Sequence, residues 1–183
     1  MSVGEVTTYI GPMFASKTSS MINDVERYDL VKKYRGKCVI VKYENDTRYD
    51  HLATSGGIVT HRGDERSKIP IVKVSKLADV DITGKCVIGV DEGQFYPDAP
   101  EYIDAWASAG IHVVVACLDA TFQYKPFGRV AEIIAVSENV HKLSAICELC
   151  SANASFTKRI GTSLELEEIG GADKYIAVCR ACR

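Results

Sequence analysis

The sequence predicts an α/β fold, in which a parallel sheet is flanked by helices and is followed by a small C-terminal segment that binds a metal. Three observations indicate this: short apolar runs that do not alternate with polar residues, helical patterns between some of these runs, and two closely spaced cysteine pairs near the C-terminus. Apolar runs without alternation are typical of strands covered on both faces, as in parallel sheets.

Five apolar runs predict strands. They are Val6–Ile10, Cys38–Tyr43, Ile69–Val74, Cys86–Val90 and Ile111–Leu118. A helix is predicted after the first of them, because Met21, Val25 and Tyr28 recur at helical spacing. A second helix is predicted over Asp98–Ala109, with Pro100 in its first turn.

Two further segments are predicted to lie outside this sheet. Residues 44–68 are polar and lack periodicity, which indicates a long mobile connection. Between the cysteine pairs, Phe156–Ile160 and Leu164–Ile169 flank a turn at Gly161 and predict a hairpin. Ordering the 28 residues between Cys150 and Cys179 costs more free energy than structural zinc supplies, so we expect residues 161–175 to be ordered only over a ligand.

Length and composition predict one main domain with an appendage. The chain has 183 residues, of which 46% are hydrophobic and 25% charged, values that exclude a disordered or fibrous protein. We expect the main domain over residues 1–143 and the appendage over residues 144–183. A net charge of −2 argues against bulk attraction to nucleic acid or a membrane surface. Because no signal segment or membrane span is evident, the sequence predicts a cytoplasmic protein.

The seven cysteines fall into two groups. Three lie in or beside apolar runs and are predicted to be buried thiols, whereas four form two C-x-x-C pairs. Two such pairs can complete a tetrahedral Zn²⁺ site, so the sequence predicts structural zinc, with a redox dithiol as the alternative. The predicted core thiols are Cys38, Cys86 and Cys117, and the predicted metal ligands are Cys147, Cys150, Cys179 and Cys182.

A phosphate-binding loop is predicted between the first strand and the first helix. Residues Gly11–Thr18 stand where the backbone amides of a P-loop and its helix N-terminus face phosphate. Lys17 would reach the β- and γ-phosphates, and Thr18 would join a Mg²⁺ shell. The strict pattern G-x-x-x-x-G-K-[ST] fails at Ser16, and an ordinary helix N-terminus with a lysine in its first turn is the alternative.

Two adjacent acidic residues follow the fourth predicted strand. Asp91 stands where a P-loop protein places the acid that holds Mg²⁺. Adjacent side chains at a strand end point to different sides, so Glu92 can face a second substrate. Glu92 is therefore the candidate general base for phosphoryl transfer to a hydroxyl, with a solvated carboxylate as the alternative. The loop and the acids together favour nucleotide binding.

Six motifs and the four paired cysteines occur in a fixed order along the chain. The motifs are G-P-M-F-A-x-K-T at Gly11–Thr18, D-T-R-Y at Asp46–Tyr49, D-E-G-Q-F at Asp91–Phe95, T-F-Q-x-K-P-F-G at Thr121–Gly128, T-K-R-x-G-T at Thr157–Thr162 and I-G-G-A-D-K-Y at Ile169–Tyr175. In them the chain resembles, over essentially its whole length, the cytosolic (type II) thymidine kinase family. The resemblance implies a P-loop NTPase-like sheet with a zinc-held lasso. It also implies transfer of the γ-phosphoryl group of ATP to thymidine, with deoxyuridine as a further substrate.

On the phosphate side, the resemblance implies three catalytic residues and a Mg²⁺ ligand. Glu92 would take the proton of the 5′-hydroxyl, Lys17 would keep its P-loop role, and Arg48 would stabilise charge in the transition state. Asp91 would hold Mg²⁺. The implied ATP and Mg²⁺ site comprises Gly11, Pro12, Met13, Phe14, Ala15, Ser16, Lys17, Thr18, Asp46, Thr47, Arg48, Asp91, Glu92, Gly93 and Gln94.

On the nucleoside side, the resemblance implies a pocket with aromatic walls and a backbone edge. Phe122 and Tyr175 would pack around the thymine, and the main chain of the lasso would hydrogen-bond the base and exclude water. The implied pocket residues are Met13, Phe95, Leu118, Phe122, Phe127, Thr157 and Tyr175, and the implied lasso edge is Leu166, Glu167, Glu168, Ile169 and Gly170. Individually, several of these residues would also suit a core or a hairpin surface.

One departure from the family bears on activity. The family has glycine where this chain has Ser16, and a left-handed backbone there would cost a serine about 1–2 kcal/mol. We expect reduced turnover, with a nucleotide-binding pseudo-enzyme as the alternative. A zinc ribbon that binds nucleic acid is a third hypothesis, but residues 144–183 balance five basic with five acidic residues. The resemblance also implies a homotetramer or dimer and feedback inhibition by thymidine triphosphate.

Overall fold

The structure is a computed structural model that describes residues 3–46, 58–59, 65–66, 69–161 and 173–183, the residues at 58–59 and 65–66 by their backbone alone. Most of the predicted connection over residues 44–68 lies outside the described residues, as does the predicted strand Leu164–Ile169. Across the described ranges, the structure contains no helix with the length and apolar character needed to cross a membrane.

A six-stranded parallel sheet forms the centre of the fold. Its strands are β1 (Val6–Gly11), β2 (Cys38–Tyr43), β5 (Ile71–Val74), β6 (Val87–Val90), β7 (His112–Leu118) and β8 (Asn139–Lys142), and β3 (Ile58–Val59) and β4 (Glu65–Arg66) form a separate antiparallel pair. The spatial order is β5-β2-β6-β7-β1-β8. All five predicted strands are present, so the α/β prediction is confirmed.

Helices cover both faces of this sheet. They are α1 (Lys17–Asp29), α2 (Ala99–Ser108) and α3 (Val130–Ala135). On one face, α1 buries Met21 and Val25, and on the other α2 buries Ile103 and Trp106. A Cβ at position 89 would lie 2.6 Å from the sulfur of Met21, so Gly89 allows α1 to approach β6 closely. Both predicted helices are confirmed.

Two elements of the main fold were not predicted from the sequence. α3 has six residues, too few to show two turns of a helical pattern. β8 lies at the edge of the sheet and pairs only with β1 among the described strands, and three of its four residues are exposed. A strand exposed in this way carries no apolar run, so its pairing is visible only in the tertiary structure.

The C-terminal part of the chain contains two small antiparallel sheets. They pair β9 (Ala145–Ile146) with β10 (Asn153–Ala154) and β11 (Phe156–Arg159) with β12 (Tyr175–Val178). The first strand of the predicted hairpin is therefore present as β11. Its partner in the described structure is β12, which follows residues 160–174, whereas the predicted partner Leu164–Ile169 lies outside the described residues.

Candidate active site

The predicted phosphate-side residues meet at the carboxyl edge of the parallel sheet. β1 ends at Gly11 and leads into the loop 11–18, β6 ends directly before Asp91, and β7 ends at Leu118. Because the strands are parallel, these ends lie along one edge, which is where open α/β sheets bind their ligands. The sheet thus brings the predicted loop and the predicted acids together.

Gly11 is required where the loop leaves the sheet. Its φ angle is +146°, and a Cβ at this position would lie 2.4 Å from the carbonyl oxygen of Leu143. The N–H of Leu143 also donates to the carbonyl oxygen of Ile10 at 2.8 Å. A side chain at Gly11 would therefore separate β1 from the segment that follows β8.

Ser16 precedes α1 in a left-handed conformation, with φ 61° and ψ 25°. This is the backbone state that costs a residue with a Cβ about 1–2 kcal/mol relative to glycine. The serine side chain makes no hydrogen bond that caps the helix, so no capping contact offsets this strain. Phe14 is also left-handed, with φ 65°. The loop therefore contains two residues with a strained backbone.

Lys17 and Thr18 begin α1 and turn toward the site. The Lys17 ammonium donates to the carbonyl oxygen of Pro12 at 2.7 Å, inside the loop. Burial lowers the pKa of Lys17, and the carboxylate of Glu92 opposes that shift. The hydroxyl of Thr18 donates to Oδ1 of Asp91 at 2.8 Å, which links the helix N-terminus to the end of β6.

Asp91 is a buried carboxyl group, only 5% exposed. Burial and the adjacent Glu92 raise the pKa of Asp91 to about 7, and the hydrogen bond from Thr18 opposes this rise. A bound divalent cation would favour the charged carboxylate and reverse the shift. The pair Thr18 and Asp91 therefore fits a Mg²⁺ shell in its residue types and in its contact.

The side chain of Gln94, a residue that the resemblance implied for the ATP site, holds Glu92 in place. Nε2 of Gln94 donates to Oε2 of Glu92 at 2.6 Å, and Oε1 of Gln94 accepts from the N–H of Leu118 at 3.0 Å. Glu92 itself has φ 54°, a left-handed conformation. The buried amide of Gln94 thus orients Glu92 and ties it to the end of β7. No pattern in the sequence indicates this supporting role.

Three buried polar residues extend the acidic end of the site. Asp46 is 4% exposed, and Lys42 is 7% exposed although it lies inside β2. Tyr96 is fully buried, and its hydroxyl has no hydrogen-bond partner in the described part of the chain. Burial and the charge of Asp91 raise the pKa of Tyr96. In the sequence, Lys42 stands out as the one charged residue in the apolar run C-V-I-V-K-Y. No sequence pattern indicates that Tyr96 lies at the site.

On the nucleoside side, one predicted residue of the loop contacts one predicted residue of β11. The N–H of Met13 donates to Oγ1 of Thr157 at 3.0 Å, and both residues are buried. Phe95 stacks on Tyr43 with 5.1 Å between ring centroids. Phe95 also meets Phe127 edge to face at 5.6 Å. The structure thus places these predicted pocket residues beside the strand ends.

Phe122 and Tyr175 are connected by a residue that no prediction included. The guanidinium carbon of Arg159 lies 4.1 Å from the ring centroid of Phe122 and 5.2 Å from that of Tyr175. Nη2 of Arg159 also donates to the hydroxyl of Tyr175 at 2.6 Å. Arg159 belongs to the motif T-K-R-x-G-T, which was the available signal.

Part of the predicted site lies outside the described residues. On the phosphate side this applies to Thr47 and Arg48. On the nucleoside side it applies to the whole predicted lasso edge, which comprises Leu166, Glu167, Glu168, Ile169 and Gly170.

The four predicted metal ligands form one cluster. The sulfur atoms of Cys147, Cys150, Cys179 and Cys182 all lie within 4.8 Å of one another, and those of Cys150 and Cys179 are 3.5 Å apart. Four thiolates around zinc at about 2.3 Å would be about 3.8 Å apart in a tetrahedron, so the spacing and the donor set fit a bound metal ion. The chain turns back at both pairs, where the N–H of Ser151 donates to the carbonyl of Cys147 and that of Cys182 to the carbonyl of Cys179.

The cysteine-bearing part packs on the phosphate loop. Ala15 shares a buried apolar cluster with Cys147, Ala177 and Val178, and Phe14 packs against it. Together with the Met13–Thr157 hydrogen bond, this cluster holds the loop against β11 and β12. The residues predicted to bind phosphate thus contact those predicted to bind the nucleoside.

Comparisons with known proteins show the family of the chain. The family model for thymidine kinase matches residues 4–183. The cytosolic thymidine kinase of Homo sapiens is 42% identical over 179 residues, which cover 98% of this chain and 73% of the human protein. The thymidine kinase of monkeypox virus is 44% identical over 184 residues, covering 100% of this chain and 98% of the viral protein. The thymidine kinase of rabbit fibroma virus is 43% identical over 179 residues, which cover 98% of this chain and 96% of the viral protein. The chain belongs to the thymidine kinase family.

Proposed function

We propose that this protein transfers the γ-phosphoryl group of ATP to the 5′-hydroxyl of thymidine, giving thymidine monophosphate and ADP for DNA synthesis by nucleoside salvage. The observation that carries the proposal is the position of Glu92. Its carboxylate is oriented by Gln94 at the sheet edge that also carries Lys17, Thr18 and Asp91. Membership of the thymidine kinase family supports the choice of substrates.

The phosphate loop binds the triphosphate in this proposal. Backbone N–H groups of residues 11–18 and the N-terminus of α1 face the phosphates, and the Lys17 ammonium reaches the β- and γ-phosphates. To do so, Lys17 exchanges its contact with the carbonyl of Pro12 for contacts with phosphate oxygens. Asp46, Thr47 and Arg48 contribute from the end of β2, with the guanidinium stabilising charge in the transition state.

Thr18 and Asp91 are the residues that hold Mg²⁺. When bound, the ion neutralises phosphate charge and orients the γ-phosphoryl group. The hydroxyl of Thr18 donates to the carboxylate of Asp91, so the two side chains that would hold the ion lie side by side.

Glu92 acts as the general base. The carboxylate accepts the proton of the 5′-hydroxyl as that oxygen attacks the γ-phosphorus, and the bond from the γ-phosphorus to the bridging oxygen of ADP breaks. Gln94 donates to one carboxylate oxygen and so orients the carboxylate at the sheet edge.

The nucleoside lies between the sheet edge and β11–β12. Phe122 and Tyr175 pack around the thymine, Met13, Leu118 and Thr157 surround its methyl group, and Phe95 and Phe127 complete the aromatic wall. The backbone of residues 166–170 hydrogen-bonds the base and closes over it as a lid that excludes water. We propose that this lid becomes ordered when the nucleoside binds, and hydrogen exchange of residues 161–175 with and without thymidine tests it.

We also propose a structural Zn²⁺ on Cys147, Cys150, Cys179 and Cys182. The mutual spacing of the four sulfur atoms and the all-thiolate donor set support zinc. Residues 1–143 would form the nucleotide-binding domain, and residues 144–183 would form the lasso domain that the zinc holds together.

Resemblance to the family supports three further parts of the proposal. They are a homotetrameric or dimeric assembly, feedback inhibition by thymidine triphosphate, and a cytoplasmic location, which the name of the human relative also supports.

A coupled assay of ADP release tests the proposal with thymidine, deoxyuridine and deoxycytidine as acceptors. We expect turnover with thymidine, slower turnover with deoxyuridine and none with deoxycytidine. Binding of ATP without turnover on any acceptor would contradict the kinase and favour the pseudo-enzyme, which the left-handed Ser16 makes the second candidate.

A further inference from the structure

We infer that Arg159 is a positioning residue that fixes Phe122 and Tyr175 relative to each other and so sets the affinity of the pocket for the nucleobase. The inference rests on the proposed function, because it assumes that these two aromatic residues hold the base. It concerns a residue outside the predicted pocket, and its support is geometric.

A single guanidinium contacts both aromatic residues. Its central carbon lies 4.1 Å from the ring centroid of Phe122, which is the distance of a stacked cation–π pair. Nη2 of the same group donates to the hydroxyl of Tyr175 at 2.6 Å. Phe122 follows β7 and Tyr175 begins β12, so Arg159 connects two parts of the chain that are remote in sequence.

The strand register places Arg159 where it can do this. Arg159 is the direct partner of Tyr175 in the β11–β12 pair, and Thr157 is the partner of Ala177. Thr157 and Arg159 are two positions apart in a strand, so their side chains lie on the same face. Thr157 accepts a hydrogen bond from the loop at Met13, so this face is directed toward the phosphate loop.

The two contacts differ in a way that leaves room for a base. Arg159 covers one face of Phe122, whereas it meets Tyr175 at the hydroxyl end, with a centroid distance of 5.2 Å. The guanidinium lies over one face of each ring, so the opposite faces of Phe122 and Tyr175 do not contact it. Arg159 can therefore keep both rings in place while a planar base contacts them.

A competing arrangement makes the opposite prediction. If the guanidinium occupied the place of the base in the nucleoside-free protein, thymidine would have to displace it, and removing Arg159 would strengthen binding. If Arg159 positions the rings, removing it frees Phe122 and Tyr175 and weakens binding. The sign of the change in affinity separates the two.

An arginine suits this position better than a lysine. The planar guanidinium can stack on one ring while a nitrogen at its edge donates to a hydroxyl, whereas an ammonium is a point charge on a flexible chain. We therefore expect Arg159→Lys to keep only part of the thymidine affinity that the arginine provides.

The test compares Arg159→Met with Arg180→Met. Arg180 also lies in the C-terminal part and stacks on an aromatic ring, with its guanidinium 5.0 Å from the centroid of Phe156. The structure gives Arg180 no cation–π contact with Phe122 or Tyr175 within the described residues. Thymidine affinity is measured by titration calorimetry, and kcat and the KM values for thymidine and ATP by the coupled assay. Zinc content and the thermal midpoint confirm folding.

We expect Arg159→Met to raise the Kd and KM for thymidine by about tenfold, with kcat and the KM for ATP changed less than about twofold. Arg180→Met should leave all four values unchanged, and Tyr175→Phe should raise the Kd by about two- to fivefold. If Arg159→Met loses zinc or unfolds, the Kd of Arg159→Lys for thymidine is the test instead. The inference then requires that this variant also has a raised Kd.

Three outcomes would overturn the inference. They are an unchanged Kd in a folded Arg159 variant, a lower Kd, and an equal effect of Arg180→Met. Failure of the proposed function is distinguishable from these. If the unaltered protein binds thymidine without phosphorylating it, the kinase proposal fails and calorimetry still decides about Arg159. If it does not bind thymidine, both fail.

Discussion

The phosphate loop and the cysteine-bearing segment are held in place by different kinds of interaction. The loop joins β1 to α1, and both of these pack into a large apolar core on the two faces of a six-stranded sheet. In its described residues, the cysteine-bearing segment has two-stranded sheets and a small apolar cluster of mostly alanine residues. Its remaining contacts are the cluster of four thiols and the contacts between arginine and aromatic side chains.

This difference shows how one site can combine rigid and adjustable recognition. In the proposed function, phosphate is bound by backbone groups whose directions are set by the sheet and the helix, so little in that half needs to move. The base would be held by side chains such as Phe122 and Tyr175, whose positions depend on small local contacts. We therefore expect perturbations to separate the two halves, with ATP binding surviving changes that abolish thymidine binding.

Removing the metal should separate the two halves most completely. Structural zinc contributes about 10–16 kcal/mol to the folding of small metal-dependent units. Chelation, or the change Cys150→Ser, should therefore unfold the segment after residue 144 and abolish thymidine phosphorylation. ATP should still bind to the loop. Calorimetry with each substrate and zinc analysis check this, and a parallel loss of ATP binding would show that the halves fold as one unit.

Glu92→Gln should affect chemistry alone. Removing a general base lowers kcat by about 10²–10⁴-fold, and a glutamine can keep the contact with Gln94. Binding of ATP and of thymidine should change little. The coupled assay measures kcat, and Glu101→Gln, at an exposed position of α2, is the control. A normal kcat in Glu92→Gln would contradict the assignment of Glu92 as the general base.

Asp91→Asn should stabilise the protein that contains no ATP or Mg²⁺. The pKa of Asp91 is raised from 3.8 to about 7, so the folded state binds an extra proton between these values. The protonated carboxyl group of Asp91 therefore favours folding most below about pH 4, and this contribution to stability is lost as the pH rises through about 7. At about pH 8 the variant should be more stable by on the order of 2–4 kcal/mol, although its Mg²⁺-dependent turnover falls.

Urea unfolding across this pH range measures the effect of Asp91→Asn. The exposed residue Asp104 of α2 provides a matched control, because Asp104→Asn should leave the slope of stability against pH unchanged. A slope that persists in Asp91→Asn would assign the pH dependence to other groups.

Ser16→Gly should have the smallest effect, confined to the loop. Glycine adopts φ 61° without the strain of a Cβ, which should add about 1 kcal/mol to the stability. This corresponds to a thermal midpoint about 2–4 °C higher. We also expect a modest rise in turnover or in affinity for ATP, with the Kd for thymidine unchanged. An unchanged rate and midpoint would show that the loop tolerates serine freely.

The sequence by itself determined five of the six strands of the sheet, the first two helices and the residue types of the loop. The apolar runs set β1, β2, β5, β6 and β7 because a strand buried on both faces must be apolar throughout. The order of Gly11, Lys17 and Thr18 from the end of β1 into the first turn of α1 likewise needs no tertiary information, since a loop of this kind is built from adjacent residues. The cysteine spacing predicted the metal cluster for the same reason.

Only the tertiary structure decided which distant side chains support the site. The contact of Gln94 with both Glu92 and Leu118 depends on two neighbouring strands ending together, and the contact of Arg159 with Tyr175 depends on the pairing of β11 with β12. The left-handed backbone at Ser16 is likewise visible only in coordinates. Such contacts join residues far apart in the chain, and local patterns of hydrophobicity and spacing contain no record of them.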